Sequence, residues 1–266
     1  MGKKAHLPLV FAGRPDVWRW PVMGFGQPTQ YGASTAALRA KSGEFWWYDW
    51  TGLFRDARHV PMVWGPYSEV SPACNDGRPL LILNEPELEG QADCDPDRAA
   101  DVVHLWAGQW NGELWPLGTL AHSTEYVGQV IDSYQARYGS WPGHGWSVHA
   151  YAGRAAWSED IVDPARLAMM ATDLCRLWEM LVARGVAGRG MVLSECGALS
   201  AVRWHWPHEL LPAMRFFASE IRALPFVRSW CWFSSFYEPF NASDLVYANG
   251  ELTELGEEWV RLRDGG

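Results

Sequence analysis

The stretch Leu80-Leu81-Ile82-Leu83-Asn84-Glu85-Pro86-Glu87 constrains this chain more than any other. Four apolar residues in a row read as a strand buried on both faces, the kind found in parallel sheets. The run then turns polar at Asn84, and Pro86 removes a ladder donor and ends the strand. Glu85 is left at the carboxyl end of a buried strand, which in α/β barrels is the end that carries the chemistry. The same residues also fit a solvated acidic turn, so the rest of the chain has to decide.

The rest of the chain repeats the pattern. Further short apolar runs fall at Pro21–Gly26, Phe45–Trp50, Val60–Trp64, Leu114–Ala121, Gly145–Tyr151, Met191–Glu195 and Ser229–Phe233. Helical spacing or helix-start residues mark Ala33–Lys41, Pro96–Trp110, Asp163–Arg184, Glu209–Ala223 and Thr253–Arg263. The clearest is Asp163–Arg184, where Leu167, Met170, Leu174, Leu177 and Leu181 recur at three and four and Gly185 stands just past the end. Asn249-Gly250 reads as a tight turn before the last helix. Eight strands alternating with helices, with no linker or repeat, predict one (β/α)8 TIM barrel over residues 1–266, with its active site at the C-terminal strand ends.

Composition narrows the chemistry. With 266 residues and a formal charge of −9, the chain would repel nucleic acid and anionic membrane surfaces, so a neutral substrate suits it better than a polyanion. No apolar run approaches the ~18 residues of a membrane helix. The 18 Trp residues predict a mixture of core packing and a cleft lined with flat apolar faces on which sugar rings can stack. The five Cys residues show neither CxxC nor His spacing, so no metal site and no cofactor is expected. Cys74 and Cys94 flank the Leu80 strand, in loops on one rim, and could form a bridge, although the odd count leaves at least one free thiol and the sequence alone leaves the pairing open. After the basic start Met1-Gly2-Lys3-Lys4 no signal peptide is visible, which leaves a cytoplasmic protein or a secreted one whose leader has been removed. A monomer is expected.

Leu193-Ser194-Glu195 repeats the ending of Leu83-Asn84-Glu85, on the seventh and fourth strands. Two carboxylates facing each other across a groove are the working parts of glycoside hydrolysis; a rim salt bridge is the alternative for Glu195 alone. His149 and Tyr151 are two apart and share a strand face, so both can point inward, and a Tyr hydroxyl there could donate to a carboxylate. His149 by itself also fits a satisfied core histidine. Trp232 shares a face with Trp230 and could floor the pocket or fill the core. Strict alternation sets Asn84 opposite Glu85, so both reach one site only if the strand bends there.

At these residues the chain resembles the clan A glycoside hydrolases and, within them, glycoside hydrolase family 128, the endo-β-1,3-glucanases. The resemblance is carried by Trp47-Tyr48-Asp49-Trp50, Val60-Pro61-Met62-Val63-Trp64, Leu83-Asn84-Glu85-Pro86-Glu87, Val148-His149-Ala150-Tyr151 and Ser194-Glu195, over roughly residues 20–240. It implies a retaining endo-β-glucanase that hydrolyses β-1,3-glucan by double displacement, with Glu85 as acid/base and Glu195 as nucleophile. It further implies Asn84 on the sugar, Tyr151 orienting Glu195, Trp232 beneath the sugar, and Trp47, Trp50 and Trp64 along the groove wall. Glu87, Asp49 and Cys196 depart from the family's usual Asp, Asn and aromatic residue, which leaves the glucan linkage open. The alternatives are a clan A glycosidase on another β-linked glycan and a carbohydrate-binding barrel without catalysis.

Overall fold

The computed structural model describes residues 20–21, 23–27, 38, 45–152, 163–197, 206–236 and 241–263. The helix expected at Ala33–Lys41 lies outside these residues, apart from Leu38, which is helical. Each of the eight apolar runs forms a strand: β1 Met23–Gly26, β2 Trp46–Tyr48, β3 Met62–Val63, β4 Leu80–Asn84, β5 Leu114–Leu120, β6 Trp146–Tyr151, β7 Met191–Gly197 and β8 Val227–Trp232. They pair in parallel in the order β2-β1-β8-β7-β6-β5-β4-β3. The two end strands approach each other without a ladder. A single bridge, Trp47 to His59, joins them, helped by Val60 N donating to Trp47 O and Met62 N to Thr51 O, each at 2.9 Å. The result is a nearly closed (β/α)8 barrel.

The helices between strands start and stop where their ends predict. In α1, Pro96–Ala107, Pro96 follows the N-cap Asp95, whose carboxylate accepts from Arg98 N at 2.9 Å. α2, Thr124–Tyr138, was not marked by the sequence reading, although Val127, Ile131 and Tyr134 keep helical spacing and are buried. α3, Pro164–Ala183, is capped by Asp163 on Ala165 N, and Gly185 after it takes a φ of 70°. Between β7 and β8 the chain runs through a 3-10 turn, α4 (Leu211–Phe216) and a π turn to Ile221; α5, Glu254–Arg263, follows the turn at Gly250.

Strand alternation divides the core in two. Trp46, Tyr48, Met62, Leu81, Trp115, Val192 and Cys231 fill the barrel interior, with Trp20, Trp50 and Trp64 packed on them. Phe25, Trp47, Val63, Ile82, Leu193, Trp230 and Trp232 point the other way, into the layer shared with the helices. The interior indoles need room, which glycines provide: a Cβ on Gly145 would lie 2.2 Å from the Trp115 ring.

The expected Cys74–Cys94 disulfide is absent, and all five cysteines are free thiols. Each of the two is buried against a nearby carbonyl instead, Cys74 Sγ donating to Gly52 O and Cys94 Sγ to Ala92 O. Their loops are therefore held by packing rather than by a bridge.

A Cβ at Gly24 would meet Trp46 O at 2.6 Å and the Trp46 ring at 2.7 Å. Gly24→Ala is therefore expected to destabilise the barrel by ~1–3 kcal/mol, the usual range for overpacking, read as a lower urea midpoint with an unchanged slope.

Candidate active site

Glu85 reaches the barrel mouth because β4 does not end as a regular strand. Leu83 and Glu85 both adopt positive φ, 66° and 44°. Asn84 N donates to Trp64 O at 2.9 Å, and Glu85 N donates to Gly118 O on β5 at 2.7 Å. The bend that the adjacent Asn84 and Glu85 required is thus present. It depends on Gly118, where a Cβ would crowd Leu83 O at 2.8 Å and His149 Nε2 at 3.1 Å. Asn84 is buried; its amide nitrogen donates to Gln91 Oε1 at 3.0 Å, while its Oδ1 has no hydrogen-bond partner among the described residues.

Glu195 lies on β7, in register with His149 on β6. Three side chains donate to its carboxylate. Tyr48 Oη and Trp50 Nε1 reach Oε1 at 2.9 and 2.7 Å, and Tyr151 Oη reaches Oε2 at 2.7 Å. His149, wholly buried, sits between the two acids, with Nδ1 2.8 Å from Glu85 Oε1 and 3.4 Å from Glu195 Oε2. The ligating atoms of Glu85, His149 and Glu195 all lie within 4.8 Å of one another. Of the roughly four lone-pair sites on the Glu195 carboxylate, the donors take two on Oε1 and one on Oε2.

The electrostatics separate the two acids. Burial pushes the Glu85 carboxyl up; the His149 ring pulls it down, the charges of Glu195 and Glu87 push it up again, and the net direction is up. Burial alone would lower His149, but Glu195, Glu85 and Glu87 outweigh it, and His149 too is raised. The Glu85–His149 pair therefore keeps a proton beyond the pH at which the free groups would lose it, and titrates as one unit. Burial, reinforced by the charge of Glu195, raises the Tyr48 and Tyr151 hydroxyls well above their ordinary value, so both remain donors.

The aromatic residues divide by strand phase. Trp50 and Trp64 are half-buried on the interior side. Trp47 and Trp232, expected on the groove wall and beneath the sugar, are fully buried on the opposite face. Trp47 packs on His59 at 4.7 Å and donates to Asp56, while Trp232 packs edge-on against Phe217 and donates to Ser243 O at 2.8 Å. Neither ring has a free face to offer a ligand. Two residues at the site were missed by the sequence reading. Tyr48 shares an interior-facing phase with Trp50, which could have revealed it. Phe233, one residue beyond Trp232, lies 5.6 Å from the Trp50 ring and 6.2 Å from Tyr151.

Comparison with known proteins agrees with this fold. A family model for a glycosyl hydrolase catalytic core matches residues 26–138. Over 91% of this chain and 99% of its own, the structure of a family 128 (subgroup I) endo-β-1,3-glucanase from Amycolatopsis mediterranei with laminaritriose superposes with a TM-score of 0.68 at 19% identity. The fold is that of glycoside hydrolase family 128. The resemblance read from the strand ends is borne out. A subgroup II endo-β-1,3-glucanase from Pseudomonas viridiflava matches at TM-score 0.64 and 20% identity over 91% and 98% of the two chains. A subgroup III curdlan-specific exo-β-1,3-glucanase from Blastomyces gilchristii, in complex with glucose, matches at 0.62 and 16% over 90% and 97%. The family 128 fold thus accommodates both endo and exo action. No curated protein matches the sequence.

The division of the tryptophans gives a paired test. Trp50→Phe keeps a ring but removes a donor to Glu195 and is expected to lower turnover of any substrate of this site, with the thermal midpoint little changed. Trp232→Ala, a truncation in the helix-facing core, is expected to cost ~3–5 kcal/mol of stability while leaving KM unchanged in the folded fraction.

Proposed function

We propose that this chain is a retaining β-glucanase that hydrolyses β-1,3-glucan, a single catalytic domain in which Glu85 is the acid/base and Glu195 the nucleophile. The observation that carries this reading is the closeness of Glu85, His149 and Glu195, whose ligating atoms lie within 4.8 Å of one another. Direct attack by the second carboxylate needs carboxyl groups about 5–5.5 Å apart, whereas inversion needs roughly 6.5–9.5 Å to admit a water. β-1,3-Glucan as substrate is carried over from the fold's relatives, endo- and exo-β-1,3-glucanases.

The proposed reaction uses only these side chains and water. Glu85 gives its proton to the departing glycosidic oxygen while a Glu195 oxygen bonds to the anomeric carbon and the C–O bond breaks. Glu85, now a carboxylate, takes a proton from water, whose oxygen then displaces Glu195. Tyr48, Trp50 and Tyr151 hold the Glu195 carboxylate in its attacking geometry. His149 shares the Glu85 proton between the two steps. Asn84, with its unpartnered Oδ1 near Glu85, is proposed to accept a sugar hydroxyl, and Trp64 to line the groove beside Trp50.

NMR of laminarin digestion is expected to show the β-anomer first; an initial α-anomer would mean inversion and remove the nucleophile role from Glu195. Glu195→Ala is expected to abolish turnover, with external azide restoring it and giving an α-glycosyl azide. Glu85→Ala is expected to lose ~10²–10⁴-fold on glucan yet spare aryl glycosides whose leaving group needs no proton.

The pH dependence follows from the raised Glu85–His149 pair. The first step needs Glu85 protonated, so kcat/KM is expected to fall as pH rises through the pair's upper titration. That alkaline limb is expected above the ~4.3 of a free Glu. A limb near the free-Glu value would contradict the raised proton affinity of the pair.

A further inference from the structure

Two donors to Glu195 come from a single short segment, and that segment is anchored from behind. Tyr48 and Trp50 both reach Glu195 Oε1. Asp49, between them, points away from Glu195 and is almost wholly buried. Its Oδ1 accepts from His59 Nε2 at 2.9 Å and Thr51 Oγ1 at 2.7 Å, and its Oδ2 accepts from Arg55 Nε at 2.9 Å. Although burial works against its charge, the hydrogen bond and charge of His59, with Thr51 and Arg55, hold Asp49 below the usual carboxylate range. His59 is itself fully buried, its ring tilted against Trp47 with centroids 4.7 Å apart, and its Nδ1 has no hydrogen-bond partner among the described residues.

β1 supports the backbone here on one side, but on the other side a strand ladder is missing. This is the gap between β2 and β3, bridged at Trp47–His59, and Trp50 stands at a φ of 58°, a conformation that a residue with a bulky side chain holds only when its surroundings impose it. The Asp49 cluster is the nearest constraint that does so, because it ties the residue between Tyr48 and Trp50 to the start of β3.

We infer that Asp49 and His59 are positioning residues for the nucleophile, acting through Tyr48 and Trp50 to fix the Glu195 carboxylate. Neither touches substrate in this assignment. It rests on the retaining-glucanase reading, in which Glu195 attacks.

The test is a double-mutant cycle in the Glu85→Ala protein, on an aryl β-laminaribioside with a leaving group that needs no protonation and with saturating azide, which needs no base, as acceptor, so that Glu85 drops out of both steps. Asp49→Ala is expected to lower kcat by roughly 10- to 100-fold with KM little changed, the loss expected of a slightly misplaced reacting group. Introduced into the Tyr48→Phe/Trp50→Phe protein, the same change is expected to have almost no further effect, because the donors it positions are already gone. Equal losses in both backgrounds would overturn the inference and leave Asp49 a stability residue only. A loss that appears in KM instead of kcat would overturn it too. His59→Gln, with circular dichroism to confirm folding, runs the same cycle should Asp49→Ala not fold. Failure of the function reading is distinguishable, since the unmodified protein would then release no sugar from any β-glucan and give no cycle to measure.

Discussion

Two carboxylates held a few ångströms apart in a buried site repel each other, and every other feature of the mouth of this barrel answers that repulsion. Burial raises the Glu85 carboxyl, the His149 ring beside it pulls it down, and the charges of Glu195 and Glu87 push it up again. Donors from β2 and β6, with Trp50 just beyond β2, spread the charge of Glu195 over hydrogen bonds in a place where water is scarce. The bend at Leu83–Glu85 and the absence of a side chain at Gly118 bring the first acid within reach of the imidazole. Without the three donors the charge of Glu195 would stand uncompensated in a buried place.

Much of this was legible in the sequence, for a physical reason. A strand buried on both faces must be apolar throughout, so an abrupt polar ending stands out: Leu83-Asn84-Glu85 announced the end of β4 correctly, while β7 runs two residues past Glu195, to Gly197. The eight strands followed from the same contrast. What the letters do not carry is the phase of such a strand: when both faces are apolar, alternation says which residues share a side but not which side is inward. Trp47 and Trp232 went to the wrong face for that reason. The error at β2 was avoidable, since Trp47 and Trp50 are three apart and cannot both face the groove in a regular strand; choosing Trp50 would have produced Tyr48 as well. α2 was missed because two glycines interrupt its neighbourhood and its apolar face is narrow.

The barrel is weakest where its sequence is shortest in strand. β3 has two residues, β2 three, and they meet through one bridge instead of a ladder. Buried side chains take over the work of backbone pairing there: Asp49, His59 and Thr51 on one side, and Arg78, whose guanidinium donates to the carbonyls of Asp56 and His59, on the other. Side-chain closure is more easily altered by substitution than a ladder, so this seam is where related barrels can most readily change the shape of the groove.

The tryptophans have a consequence for how the molecule would be observed. Trp46, Trp47, Trp115, Trp146, Trp230, Trp232 and Trp259 are all sealed from solvent, in the barrel interior or beneath the helices. Their emission would be blue-shifted and indifferent to anything arriving at the mouth. Trp50, whose indole N–H donates to Glu195, contributes one voice among the chain's 18. Bulk fluorescence of this protein therefore reports the integrity of the core, and an optical view of the site requires a label on Trp50 alone.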